Sequence, residues 1–205
     1  MLLDPRVPVA VATHNPGKLR ELLVLWGPDP PLLVAAGPEY SEVVETGSTY
    51  EANALLKARA LAFARSGPAL ADDSGLEVEA LGWGPGVLSA RTPSVDSSWQ
   101  ERNAHIIAAC DSFGDPARRA RFVCVCALVV PGMEPVVSRG EVEGSIALAP
   151  AGDAGFGYDP IFVYPPYRMT FAQAGDERKH VVSHRGRAVR ALRAMLRQDA
   201  IVEPK

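Results

Sequence analysis

Short apolar runs alternate with capped helical segments through the first half of the chain, and that alternation most narrows the folds open to it. Val7–Ala12 reads as a buried strand, and Gly17–Trp26 as a short helix with Leu19, Leu22, Leu23 and Trp26 on one side. Pro28, Pro30 and Pro31 stop that helix, and Leu32–Ala36 reads as a second strand. The stretch ETGSTYEANALLKARALAFARSG predicts the clearest helix, with Ser48 and Glu51 as its capping box and Gly67 as its end. After Pro68, ALADDSGLEVEALG reads as an apolar run broken by two acids, then a strand-like alternation. Ser97–Ala109 is expected as another capped helix, with Ser97 and Gln100 as the box. Arg121–Val130 and Val136–Leu148 read as a hairpin around Pro131-Gly132, and a last helix runs from Arg185 to Gln198 after the polar segment ERKHVVSHR. Early alternation and a late hairpin predict an α/β protein with a mixed sheet.

At 205 residues, 47% hydrophobic and 22% charged, the chain suits a single domain with a substantial core. A net charge of -3 argues against a general nucleic-acid binder, so any phosphate binding must come from a local cluster of cations. MLLDPRVPVA has neither the basic start nor the long apolar core of a signal peptide, and no apolar run reaches the roughly 18 residues of a membrane span. The expectation is a cytoplasmic protein without a membrane partner. Cys110, Cys124 and Cys126 show neither zinc spacing nor a CxxC; on a strand, Cys124 and Cys126 share one face as core thiols.

The chemistry gathers in four places. THNPGK, at Thr13, His14, Asn15, Pro16, Gly17 and Lys18, leaves the first strand through a polar turn and places a lysine at a helix start, where free amides attract anions. It is not a P-loop, because GxxxxGK[ST] is absent. Asp72 and Asp73 lie before Ser74-Gly75, which can bend sharply; paired carboxylates suit a hard cation such as magnesium. Glu42 and Glu45 are further candidate ligands, and Asn53 and Lys57, four apart, share a helical face. FGYDP supplies Phe156 and Tyr158 as stacking surfaces, with Gly157 between them and Asp159 as an acceptor. Ser183-His184-Arg185, beside Arg178, Lys179 and His180, crowds cations at a helix N-terminus, an arrangement that favours an anion there. No GxSxG elbow accompanies Ser183, which rules out a serine triad.

THNPGK, ETGSTYEANALLKA, ADDSGLEVEALGWGPGVLSAR, the ARF before an apolar strand, GFGYDPIF and SHRGRA together resemble the inosine triphosphate pyrophosphatase family, in that family's order across residues 13 to 190. The resemblance implies a long twisted mixed sheet flanked by helices, two lobes with a central nucleotide cleft, and a homodimer. It implies Mg2+-dependent hydrolysis of XTP, ITP and dITP to the monophosphate and pyrophosphate, cleansing the nucleotide pool. By position, Thr13 to Lys18 hold the triphosphate near Asn53 and Lys57; Asp73 binds metal and acts as general base, and Ser74 contacts substrate. Phe156, Gly157, Tyr158, Asp159, Lys179, His184 and Arg185 surround the base and sugar. Many members carry Gly at the place of His14 and an acid at the place of Val44, which leaves Glu45 as the second metal ligand. The alternatives are a Maf-like pyrophosphatase of other modified nucleotides and a nucleotide-binding sensor without catalysis.

Overall fold

The computed structural model describes residues 3–38, 40, 41, 43–114, 116 and 118–199. Strand β1 (Val9–Val11) has a parallel neighbour on each side, β2 (Leu33–Ala35) and β3 (Ala69–Val78). Helices α1 (Pro16–Trp26) and α2 (Tyr50–Arg65) make the two connections. Four further strands complete the sheet with the short β4 (Gly84–Pro85): β5 (Arg119–Val129), β6 (Val136–Ile146), β7 (Phe162–Tyr164) and β8 (Met169–Thr170). Its order is β2-β1-β3-β5-β6-β7-β8, with β4 beside β3. The pairs β3–β4, β6–β7 and β7–β8 are antiparallel, so the sheet is mixed, as the alternation predicts. Helices α3 (Trp99–Phe113), α4 (Phe171–Val182) and α5 (His184–Asp199) follow in chain order.

Local chemistry sets the helix ends. Pro16 opens α1, where its missing N–H costs nothing, and α1 closes on Gly27 at φ 83. The cap of α2 is Thr49, whose hydroxyl accepts from Ala52 N–H at 3.1 Å, one residue later than the Ser48 of the predicted box; its end is Ser66 at φ 49, not Gly67. Helix α3 is capped by Ser98 with Glu101 rather than Ser97 with Gln100: a carboxylate accepts the cap's N–H, at 2.7 Å, more strongly than an amide does. The main correction concerns α4. ERKHVV is its second half rather than a polar lead-in, behind a box of Thr170 and Gln173 and a break at Gly175, φ 75, which hides the helix from a periodicity search. The acids of β3 also differ from expectation: Ser74-Gly75 makes no bend, and the strand continues through Asp72 and Asp73, both buried.

The chain falls into two compact units. One comprises residues up to 73, 124–140 and from 185 onward; the other comprises 74–123 and 141–184. The first unit's core brings Leu22 and Trp26 of α1 and Val189 and Leu192 of α5 onto Val9, Val11, Leu70, Cys124, Cys126 and Leu128. Cys124 and Cys126 are fully buried with their sulfurs 3.9 Å apart, and they share a strand face as their spacing predicts. The second unit's core joins Leu76, Val78, Ile106, Phe122, Val142, Ile146, Ile161, Phe162 and Phe171.

Gly75 is required for space. A Cβ there would lie 2.1 Å from the Gly86 carbonyl oxygen and 2.6 Å from Ser89 Oγ, and Ser89 Oγ also accepts the Leu76 N–H at 2.9 Å. Gly75→Ala is therefore expected to cost about 1–3 kcal/mol through overpacking. Thermal unfolding checks it, and an unchanged midpoint counts against the close approach.

Candidate functional site

Strand β3 delivers two adjacent carboxylates, and alternation sends them to opposite faces. Asp73 meets α2. Asn53 Nδ2 donates to Asp73 Oδ2 at 3.2 Å, and Asn53 Oδ1 in turn accepts the Gly47 N–H at 2.8 Å. One helical turn on, Lys57 Nζ lies 3.4 Å from Asp73 Oδ1 and 2.6 Å from Glu45 Oε1. Asn53 and Lys57 are both buried, so their shared face is not a solvated stripe. Burial, helped by Glu45, raises Asp73 from its ordinary value against the pull of Lys57, Lys18 and Asn53. For Lys57 burial works against the charge, but Asp73, Asp72 and Glu45 prevail and raise it.

Asp72 faces α1 and α5. Its Oδ2 accepts from Arg185 Nη2 at 2.9 Å and Nε at 3.2 Å, and it pairs with Lys18 Nζ at 3.4 Å. Arg185 Nη1 also donates to the buried Glu21 of α1. Despite its burial, Lys18, Arg185 and Lys57 hold Asp72 well below the usual carboxylate range. Arg185, grouped by resemblance with the base and sugar, thus lies 1% exposed with its guanidinium on two carboxylates.

The THNPGK turn is tied down from within. Thr13 Oγ1 accepts from Asn15 N–H at 3.1 Å, and Asn15 Oδ1 accepts from Gly17 and Lys18 N–H at 2.9 and 3.0 Å. Two amides that the sequence pattern leaves free for an anion are therefore engaged by the Asn15 cap, and the Lys18 ammonium is the turn's charge. Pro16 is exposed, Gly17 is buried, and His14 stacks on Tyr40 with ring centres 4.9 Å apart and planes at 16°.

The second unit holds the aromatic group. Asp159 Oδ2 accepts from Phe156 N–H at 2.9 Å and from Lys179 Nζ at 2.5 Å. The Lys179 ammonium lies 5.0 Å from the centre of the Phe156 ring and 5.9 Å from that of Phe171, so a buried cation is held by one carboxylate and two ring faces. Gly155 sits at φ +76 with a would-be Cβ 2.1 Å from Asp159 Oδ2, so the turn admits no side chain there. Gly157 also has a positive φ. Tyr158 is buried and donates to the Ser89 carbonyl at 2.8 Å, and its burial pushes the hydroxyl up to about 12. Of the two aromatics expected to stack on a base, Phe156 keeps the more exposed ring. His184 stacks on Phe122 at 4.6 Å and 13°. Ser74 is half-buried beside Asp73 in β3. Arg178, Lys179 and His180 belong to α4 rather than opening α5, and Lys179 and His180 lie in its last turn, an end that welcomes cations; the crowding read from SHR is resolved by that break and by Asp72 and Glu21.

Three contributors escape the sequence patterns. Glu21 shows no signal, since an acid beside an apolar stripe reads as solvated. Phe122 announces itself only as a core aromatic. Asn103 of α3 is buried, with Nδ2 donating to the Gly157 carbonyl at 3.4 Å and Oδ1 unpartnered. Glu42 lies outside the described residues.

The carboxylates suit a magnesium ion. Among the described residues no group of three or more His, Cys, Asp or Glu side chains gathers as a metal cage. Asp73 and Glu45 converge as a pair of hard oxygen donors, and Mg2+ characteristically takes one or two carboxylates together with substrate phosphates.

The model of the Ham1 family matches residues 9–195. The chain is 47% identical to the dITP/XTP pyrophosphatase of Mycobacteroides abscessus, over 92% of this chain and 94% of that protein. It is 46% identical to the dITP/XTP pyrophosphatase of Thermus thermophilus, over 90% and 89%. The HAM1 protein from Coxiella burnetii superposes with a TM-score of 0.85 at 37% identity, covering 94% of this chain and 99% of that one. With nearly the whole chain matched in sequence and in fold, the protein belongs to the Ham1 family.

Proposed function

We propose that the protein hydrolyses ITP, dITP and XTP to the monophosphate and pyrophosphate with Mg2+, in the cytoplasm and as a homodimer, each chain one domain with two lobes. The observation that carries this reading is the buried meeting of Asp73, Glu45 and Lys57, with Lys18 held nearby through Asp72. The names of the relatives support the substrates.

In this mechanism Lys18, Lys57 and the THNPGK turn take the triphosphate, and Asp73 and Glu45 hold Mg2+. The ion supplies charge neutralisation on the phosphate oxygens. A water oxygen bonds to the α-phosphorus, the bond to the bridging oxygen breaks, and pyrophosphate departs with that bond's electron pair. Asp73 accepts the water's proton. Its burial raises its affinity for that proton, and the Asn53 donor fixes the carboxylate's orientation. Most of the acceleration is placement and electrostatics.

For the base, Phe156 supplies a ring face, while Lys179 and His184 supply donors for a purine oxygen at C6. Asp159 and Phe122 fix those donors in place. An amino group at C6 leaves such donors unpaired, at about 1–3 kcal/mol for each buried group. Arg185 acts from inside by holding Asp72.

Incubation with ITP, XTP, GTP or ATP, with pyrophosphate and orthophosphate assayed separately, is the direct test. Pyrophosphate from ITP and XTP, little from ATP, and loss of turnover on chelation are expected; orthophosphate alone moves the attack to the γ-phosphorus and ends the proposal. A preference for modified pyrimidines indicates the Maf-like activity instead, and binding without turnover a sensor. Asp73→Asn is expected to lower kcat by at least about 100-fold. Near-native turnover in a folded variant removes Asp73 from the chemistry. Lys179→Met is expected to lower the ITP-to-ATP ratio of kcat/KM roughly tenfold. That ratio is insensitive to the folded fraction, so an unchanged value is decisive against Lys179.

A further inference from the structure

Glu45 and Asp73 share one ammonium. Lys57 Nζ is 2.6 Å from one carboxylate and 3.4 Å from the other, and the lysine side chain is 10% exposed. The three groups come from separate pieces of chain: the segment before α2, α2 itself, and β3. Two carboxylates brought this close repel each other unless a cation stands between them, and the chain supplies that cation itself. Lys57 is well suited to this place: its ammonium is a compact charge on a flexible stem, which can move from one anion to another without moving the helix that carries it.

We propose that Lys57 is the resident counter-cation of Glu45 and Asp73 and competes with the divalent metal for them, so that free metal binds weakly until a triphosphate draws the ammonium away. This inference rests on the assignment of those two carboxylates to Mg2+. The consequence is a built-in order. The triphosphate offers Lys57 a new anionic partner, the carboxylates are released, and metal and nucleotide each tighten the other's binding by the same factor, as linkage requires. The protein thereby avoids holding a charged metal site when no substrate is present. Asn53 is the fixed element of the arrangement, because its hold on Asp73 Oδ2 does not depend on Lys57.

The test measures Mn2+ binding by electron paramagnetic resonance, without nucleotide, so turnover does not enter. Native protein is expected to bind free Mn2+ weakly. Lys57→Met should bind it at least roughly tenfold more tightly, since a buried competing charge has been removed. Lys57→Gln, which keeps a donor for Glu45 but no charge, should tighten it as well and serves as the second variant if the methionine impairs folding, which circular dichroism shows. Adding Glu45→Gln to either variant should abolish the gain. If neither variant tightens binding while Glu45→Gln weakens that of the native chain, the carboxylate site stands and the role of Lys57 is overturned. If Mn2+ binding ignores both Glu45→Gln and Asp73→Asn, the metal assignment fails and the inference fails with it.

Discussion

A carboxylate almost without exposure, Asp72, organises the first unit. It lies on a central strand between α1 and α5, and it draws Arg185 and Lys18 into a core otherwise built from Leu22, Trp26, Leu70, Cys124 and Val189. A buried charge is tolerable only where partners replace its water, and removing one partner from such a pair typically costs about 3–5 kcal/mol. Arg185 is itself divided between Asp72 and Glu21, so four charged groups form one chain: Glu21, Arg185, Asp72 and Lys18. Both ends of that chain stand on α1. The helix that carries Lys18 is thus fixed to the strand that carries the acids.

The neighbouring residue takes the opposite part because a strand alternates. Asp73 looks toward α2, where Asn53, Lys57 and Glu45 meet it. Two adjacent acids are thereby pushed apart in proton affinity: the cations around Asp72 keep it ionised, while burial and Glu45 lift Asp73. Divergent environments of this kind separate a structural charge from a proton acceptor. Had Ser74-Gly75 turned the chain as its composition suggests, both acids would have met water and the distinction would be lost. Gly75 instead lets the Gly86 carbonyl approach the strand, which keeps β3 extended through the site.

The order of most strands and helices, the mixed sheet and the candidate site residues are legible in the sequence because each leaves a local trace: a periodicity, a cap, or a turn before a lysine. The pairing of Asn53 with Lys57 on one face follows from helical spacing alone. What spacing does not carry is partnership across long sequence distance. Arg185 to Asp72 spans 113 positions and Arg185 to Glu21 spans 164, so nothing near SHR announces where its arginine goes. Helix α4 is hidden for a different reason: Gly175 interrupts its hydrogen bonding and polar residues fill its exposed side. The caps of α2 and α3 miss by one residue because adjacent Ser and Thr side chains offer the same hydroxyl.

The base recognition proposed for the second unit relies on donors that do not move. Lys179 alone is a flexible, strongly hydrated cation that could swing away from an amino group and keep its water. Asp159 removes that freedom. Its Oδ2 holds both the Phe156 amide and the Lys179 ammonium, and the Gly155 backbone comes so close that the carboxylate has one place to be. The His184 ring is fixed in the same way by the parallel face of Phe122, which is packed against Phe162 and Phe171. A donor set that rigid cannot relax around an amino group, so the penalty for an unpaired buried donor is retained in full. In the proposed selectivity Asp159 and Phe122, which hold the donors, count as much as Lys179 and His184 themselves.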